Sequence, residues 1–292
     1  MIYFRLNGGL GNQLSQFAAS RFFENKYRVN IFFDDYYLKK SKKKHESLIL
    51  DNLFLNIVTL DHYKVKISRL INKIIDKFGF KTIAIFDIKF LFDEFEPPSS
   101  KGYITVVEGF WQTNEIYKSD AIDAIYQATL QKLKKLNSKI FDFELECEEG
   151  YIDVAMHIRR GDYLTNKHFF VRQQYVLPVQ YYIYSMNYIK EKYGKKLNIT
   201  IFSDDNIILS EFDIKDCNLK IVNRFQYTDL EAFYLFSCFN ICIIANSTYS
   251  MWAALISNFR KNGQILAPSI WHKNRPSDIS IIPKNFTLIN LK

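Results

Sequence analysis

The chain has 292 residues, 48% hydrophobic and 24% charged. This is enough apolar material to bury one large core or two ordinary ones, and it argues against a disordered chain. The formal charge of +8 and pI of about 9.1 suit an anionic partner: a nucleic acid, a phosphorylated small molecule or an anionic membrane surface.

The four cysteines, Cys147, Cys217, Cys238 and Cys242, form no CxxC pair and have no His cluster beside them, which argues against a zinc site and a disulfide framework. Cys238 and Cys242 lie in an apolar run and read as core thiols, consistent with a reducing cytoplasm. The opening MIYFRLNGGLGN has no basic region followed by a long apolar one, so no cleaved secretory signal is expected.

In chain order, IYFRL (2–6) reads as a strand, NGGLGN as a Gly-rich loop, and QLSQFAASRFFENKY as a helix carrying Leu14, Phe17, Ala18, Phe22 and Tyr27 at helical spacing. VNIFFDD (29–35) reads as a second strand, completing the opening of a βαβ unit. The lysine cluster Lys39–Lys44 reads as a solvated loop or as a phosphate or membrane-surface contact. Residues 60–95 look helical, TVVEGFWQ reads as a strand ending at a polar edge, and a charged helix is expected over Ser119–Lys135.

After FDFELECEEG the pattern restarts. Strand 152–158 enters the RRGD loop. A helix at Pro178–Lys192, strand NITIFSDD from Asn198, helix 229–237, strand ICIIA (241–245), helix YSMWAALIS and strand QILAPS (264–269) follow. Alternating strands and helices predict an α/β chain with parallel sheets covered on both faces. The restart predicts two domains, 1–150 and 151–292, with no internal repeat or low-complexity linker. Ala232–Phe259 contains no Asp, Glu, Lys or Arg and is long enough to span a bilayer, but Asn240 and the NSTYS cluster interrupt it. A helix, a short strand, a turn and a second helix are expected there.

Ligands of open parallel sheets bind beyond the carboxyl ends of the strands, which singles out four clusters. In the first, Asn7–Gln13, Gly9 and Gly11 permit close backbone approach, the helix N-terminus suits an anion, and Asn12 and Gln13 add amide reach. A tight strand-to-helix turn is the alternative. The second is His157-Ile158-Arg159-Arg160-Gly161-Asp162. Two planar, permanently charged forks match phosphate oxygens and can neutralise a diphosphate as it leaves. One of the arginines is expected to pair with a carboxylate as a brace; His157 reads equally as a buried core histidine. The embedded Arg-Gly-Asp adhesion tripeptide is set aside because it adjoins a core strand.

The third cluster, Ser203-Asp204-Asp205, suits a ribose, a base edge or a metal, against simple capping of the next helix. In the fourth, Asn246-Ser247-Thr248-Tyr249-Ser250, the side chains of Asn246, Ser247, Thr248 and Ser250 offer polar groups at a helix N-terminus, again against ordinary capping. Its Asn-Ser-Thr sequon carries no weight without a secretory signal.

Together these motifs resemble the bacterial α-1,2-fucosyltransferases of glycosyltransferase family 11. NGGLGNQLSQFA is similar to that family's N-terminal motif and HIRRGDY to its basic motif. EGFWQTNEIY is similar to its aromatic-Gln segment, and FSDD and IIANSTYSMWAALIS to its C-terminal motifs. The matches run from residue 7 to 257, in family order. Ser15, Phe239-Asn240 and Met251 depart from the usual pattern. The resemblance implies a GT-B fold, two Rossmann-like domains facing a cleft, with the acceptor on the N-terminal side and the donor on the C-terminal side. It implies GDP-β-L-fucose as donor co-substrate, a galactose-type hydroxyl as acceptor, inversion, and no metal or other cofactor. Arg159 and Arg160 would then hold the diphosphate, and Asn12 would orient fucose or acceptor. Gly9, Gly11, Gln13, Ser203, Asp204, Asp205, Asn246, Ser247, Thr248 and Ser250 would line the donor site. Asp162 and His157 are candidate bases by position.

Competing readings are a transferase using another nucleotide sugar, a nicotinamide-dependent oxidoreductase using Asp34 or Asp35, and a carbohydrate-binding module. The oxidoreductase lacks the third fingerprint glycine. Nucleic acid is not expected as a partner, because no basic stripe with interleaved aromatics is present. A surface polysaccharide such as O-antigen, lipid-linked during assembly, is the expected acceptor. It would give Lys39–Lys44 a peripheral role at the inner membrane of a cytoplasmic enzyme.

Overall fold

The computed structural model describes residues 2–41, 47–60, 83–87, 104–142, 148–165, 176–212, 215–222, 226–273 and 280–290. It divides into two compact α/β units, residues 1–128 and 129–292. The division falls inside helix Ser119–Lys135, upstream of the boundary at 150 expected from the restart of the strand pattern.

In the first unit β1 (Ile2–Arg5), β2 (Ile31–Asp34), β3 (Ile57–Val58), β4 (Ile83–Asp87) and β5 (Ile104–Glu108) form a parallel sheet in the order β3-β2-β1-β5-β4. Every residue of β1 is buried, as a central parallel strand requires. Phe4 packs against the rings of Phe23 and Trp111 at 5.3 and 5.4 Å, and burying a side chain of this size contributes about 1.5–3 kcal/mol. Two expectations are corrected here. The first helix begins at Leu10, so Gly11 and Asn12 sit in its first turn rather than in the preceding loop. Ile83–Asp87, inside the stretch read as helical, is a strand paired with β5, and residues 61–82 and 88–95 lie outside the described residues.

The second unit contains β6 (Tyr151–Ile158), β7 (Lys196–Ser203), β8 (Cys217–Ile221), β9 (Ile241–Ile243), β10 (Gln264–Pro268) and β11 (Thr287–Ile289). They form a parallel sheet in the order β11-β10-β9-β6-β7-β8. Val154, Met156 and Ile158 of β6 pack with Ile199 and Ile201 of β7, Ile243 of β9, and Tyr181, Met186 and Ile189 of helix Val179–Tyr193. The charge-free run resolves, as expected, into helix Asp229–Ser237, strand β9 and helix Thr248–Lys261. Thr228 opens the first of these helices with a reciprocal capping box to Glu231. Among the described residues no helix is long and apolar enough to cross a membrane. Cys242 is buried, Cys217 and Cys238 are half-buried, and Cys147 lies outside the described residues.

The winding direction reverses once in the second sheet. The chain steps from β6 outward to β7 and β8 before crossing to β9, on the other side of β6. In the first unit it steps from β1 to β2 and β3, crosses to β4 at the far edge and comes back inward to β5, on the other side of β1. Loops at the carboxyl ends beside such reversals are where parallel sheets hold ligands.

Candidate active site

Three of the four sequence clusters come together at the reversal in the second sheet. RRGD follows β6, SDD ends and follows β7, and NSTYS follows β9; β6 lies between the other two. Asp204 ties the first two loops. Its Oδ1 accepts from the backbone N–H groups of Arg160 and Gly161 at 3.0 and 3.2 Å, and its Oδ2 pairs with Arg159 Nη1 at 2.6 Å. A Cβ at residue 161 would lie 2.5 Å from Asp204 Oδ2, so glycine is required there for space. Tyr163 lies under the Arg159 guanidinium at 5.1 Å and donates its hydroxyl to Asn246 O, tying the third loop to the first.

Both arginines hold a carboxylate, where one was expected to. Arg160 Nη2 pairs with Glu211 Oε2 at 2.7 Å. The two pairs differ in depth of attachment. Asp204 is gripped by a side chain and two backbone N–H groups, whereas Glu211 comes from the exposed turn Leu209–Phe212 and is 34% exposed. Surface pairs of the second kind contribute about 0–1 kcal/mol.

His157 is 5% exposed, between the rings of Tyr249 at 5.6 Å and Phe236 at 6.4 Å. Burial is the main cause that pushes its pKa down, to about 4. The Asp204 carboxylate works against this and the Arg159 charge works with it. The imidazole is therefore neutral at pH 7, and its Nδ1 is buried without a hydrogen-bond partner. The ring packs against Tyr249 and Phe236 behind the loop. The Asp162 side chain lies outside the described residues.

The remaining expected donor residues separate into two groups. Asp205 and Ser203 make a local turn in which Ser203 Oγ donates to Ile158 O and accepts from Asp205 N. Ser247 is the N-cap of helix Thr248–Lys261, yet its hydroxyl makes no capping bond, so ordinary capping does not account for it. Thr248 is half-buried beside it. Ser250 is fully buried and donates to Ser247 O, and Asn246 is buried and donates to Trp271 O. These two shape the loop.

In the first unit, the carboxyl ends of β1, β2 and β5 carry a charge triad that the sequence clusters missed. Arg5, 1% exposed, donates Nε to Asp34 Oδ2 at 2.6 Å and Nη1 to Glu108 Oε1 at 2.5 Å. Desolvation opposes its charge, but the two carboxylates outweigh it and its pKa is raised. Gln16 bolts the loops after β1 and β5 together through Asn7 Oδ1 and Gly109 O. Asn12 accepts from Gln112 Nε2 at 3.2 Å, joining the Gly-rich motif to EGFWQ. Gly8, at φ 77°, is required at the turn, where a Cβ would also meet Asn12 Nδ2 at 2.5 Å. Gln13 is buried and donates to the carbonyls of Gly8 and Ser47, so it holds the turn, as do Gly9, whose carbonyl accepts the first helical N–H groups, and buried Gly11. Arg5, Glu108, Gln112, Tyr163 and Glu211 are the site residues not singled out from the sequence. For Arg5 and Glu108 the one signal was a charged residue at a strand end; Tyr163 and Glu211 lie in a helix and a turn and carry no such signal.

Among the described residues, no group of His, Cys, Asp and Glu is arranged to hold a metal ion. A surface cavity of about 320 Å³ lies between the helix faces of Ala18, Phe22 and Lys26 and the start of helix Ser119–Lys135, and none of the strand-end loops lines it.

Two Rossmann-like parallel sheets, each with polar loops at the carboxyl ends of its central strands, are the make-up of a GT-B glycosyltransferase. A family model described as glycosyl transferase family 11 matches residues 1–285, and the chain belongs to that family. The chain is similar to an O-antigen biosynthesis glycosyltransferase, WbnK, of Escherichia coli, at 28% identity over 92% of this chain and 94% of the relative. It is also similar to an alpha-1,2-colitosyltransferase of Escherichia coli, at 29% identity over 91% of each. A solved fucosyltransferase, NodZ from Bradyrhizobium, aligns at 12% identity over 87% of this chain and 93% of its own, with a TM-score of 0.47.

Proposed function

We propose that the protein transfers L-fucose from GDP-β-L-fucose to the 2-hydroxyl of a galactose-type residue, inverting the anomeric centre. The observation that carries this reading is the convergence of RRGD, SDD and NSTYS on adjacent strand ends in one sheet. The resemblance of these motifs to α-1,2-fucosyltransferases supplies the donor and linkage.

In the proposed step the acceptor O2 attacks C1 of fucose, the bond from C1 to the β-phosphate oxygen breaks, and GDP leaves. Arg159 and Arg160 neutralise the developing charge on the diphosphate, each such contact contributing about 1.5–3 kcal/mol. Glu211, held by one exposed contact, gives way to phosphate, while Asp204 keeps the loop in shape. Ser247 and Thr248 meet the phosphates, and Asp205 the nucleoside. Asn12 orients the sugar. The O2 proton passes to Asp162 or to a phosphate oxygen, because burial makes His157 a weak base. Two fixed cations take the place of a metal, so no metal is required.

O-antigen as acceptor rests on the bacterial relatives. A peripheral station on the cytoplasmic face of the inner membrane rests on Lys39–Lys44. Lys39 is tied to Asp35 at 3.1 Å and donates to Thr59, Lys40 is exposed, and Lys42–Lys44 lie outside the described residues. A second reading has one specific support. The similarity to a colitosyltransferase admits GDP-colitose, whose sugar is fucose without its 3-hydroxyl, as donor.

The test is GDP release from GDP-fucose in EDTA, with and without a β-galactoside. Acceptor-stimulated release that is lost in Arg160→Ala supports the proposal. Release from GDP-colitose but not from GDP-fucose selects the second reading, and release that requires added metal overturns the metal-free step.

A further inference from the structure

The loop after β5 has features that a tight strand-to-helix connection does not need. Trp111 adopts a left-handed backbone, φ 51°, a conformation that a bulky side chain rarely takes and that marks functional sites when it occurs. Its ring is turned into the core against Phe4 and Phe23, each at 5.4 Å. Phe110, immediately before it, is 47% exposed. A chain that buries one aromatic by a strained turn and leaves its neighbour in solvent is presenting that neighbour.

The surroundings of Phe110 are polar and fixed. Glu108, 21% exposed, is held by buried Arg5. Gln112 donates to Asn12. Gln16 pins the carbonyl of Gly109 at 3.0 Å. Flat amides, an anchored carboxylate and one exposed ring, on a loop that does not have to be ordered on binding, are the parts of a carbohydrate subsite. A galactopyranose has one ring face made of C–H groups at carbons 3, 4 and 5, which suits an aromatic ring, while its hydroxyls suit Glu108 and the amides.

We propose that Phe110, Glu108 and Gln112, with Asn12, form the subsite that receives the galactose-type sugar, Phe110 against its C–H face and Glu108 accepting from a hydroxyl. The subsite rests on the transferase reading above and lies wholly in the first unit.

Saturation-transfer NMR with lactose on the full chain, with GDP binding measured by calorimetry on the same sample, tests it. Saturation of galactose H3, H4 and H5 is expected, falling at least fivefold in Phe110→Ala, with GDP affinity within twofold of the parent. Phe110 is half in solvent, so its truncation spares the fold. Gln112→Ala is the second variant, expected to raise the galactoside dissociation constant at least threefold. Undiminished saturation in both variants, or no saturation of lactose by a parent that binds GDP, overturns the subsite and leaves the donor reading standing. Failure of the parent to bind GDP strikes that reading instead.

Discussion

Gly161→Ala measures how tightly the two central motifs of the second unit are joined. The new Cβ would lie 2.5 Å from Asp204 Oδ2 and 2.9 Å from Asp204 Cγ, against the 3.4 Å or more of an ordinary contact. The carboxylate must retreat by close to an ångström. That disturbs three interactions at once: two backbone N–H bonds to Oδ1 and the ion pair to Arg159. Each hydrogen bond to a charged group contributes about 1.5–3 kcal/mol when intact. Asp204 is about a quarter exposed and water will replace part of the loss, so the expected cost is about 2–4 kcal/mol, not the sum. For a unit of this size that lowers Tm by roughly 4–16 °C. The assay is a double-mutant cycle by urea denaturation with Asp204→Ala. Once the carboxylate is gone only the Asp204 backbone oxygen, at 3.3 Å, still crowds the methyl, so Gly161→Ala should cost under about 1 kcal/mol in that background. Additive costs would refute the reasoning, because they would mean that the glycine acts through its own backbone and not through Asp204.

Asp34→Asn leaves buried Arg5 with one carboxylate partner, and loss of about 3–5 kcal/mol is expected by urea denaturation, with Asp34→Glu recovering little. Arg160→Ala should separate stability from activity: its partner is an exposed carboxylate, so stability should change by under about 1 kcal/mol while transfer falls by about 100-fold or more. His157 has a folded pKa of about 4, below its unfolded value near 6.5, so the unfolded state takes up the proton first on acidification. Its contribution is fully present above pH 6.5 and is lost as pH falls to 4. His157→Phe should therefore show a shallower fall in denaturation free energy over that window, by up to about 3 kcal/mol.

The strands that carry the site were legible because they are hydrophobic on both faces: Val154–Ile158 and Ile241–Ala245 are apolar runs ending abruptly in polar residues. The switch from an apolar run to Arg-Arg or Asn-Ser-Thr marks the carboxyl edge of each strand. Elements stabilised by their neighbours were not legible. β8, CNLKI, is an edge strand with mixed polarity, and β11 has three residues. β4 sits in a stretch rich in Lys, Ile and Phe whose spacing mimics a helix. The first helix starts at Leu10 because the Gly9 carbonyl accepts the N–H groups of Asn12 and Gln13, a backbone event with no side-chain signature. Partners across 51 residues, Arg160 with Glu211, or 103 residues, Arg5 with Glu108, leave no local pattern. The local sequence therefore points to a carboxylate for one arginine, whereas the fold supplies one to each.

The most direct test of the central claim is to incubate the full chain with GDP-β-L-fucose and a β-galactoside and to determine the product's linkage by NMR. The account predicts an α-configured fucosyl anomeric proton and a glycosylation shift at galactose C2, with one GDP released per bond formed. A β-linkage, attachment at another carbon, or GDP binding with no transfer from either GDP-fucose or GDP-colitose would contradict it.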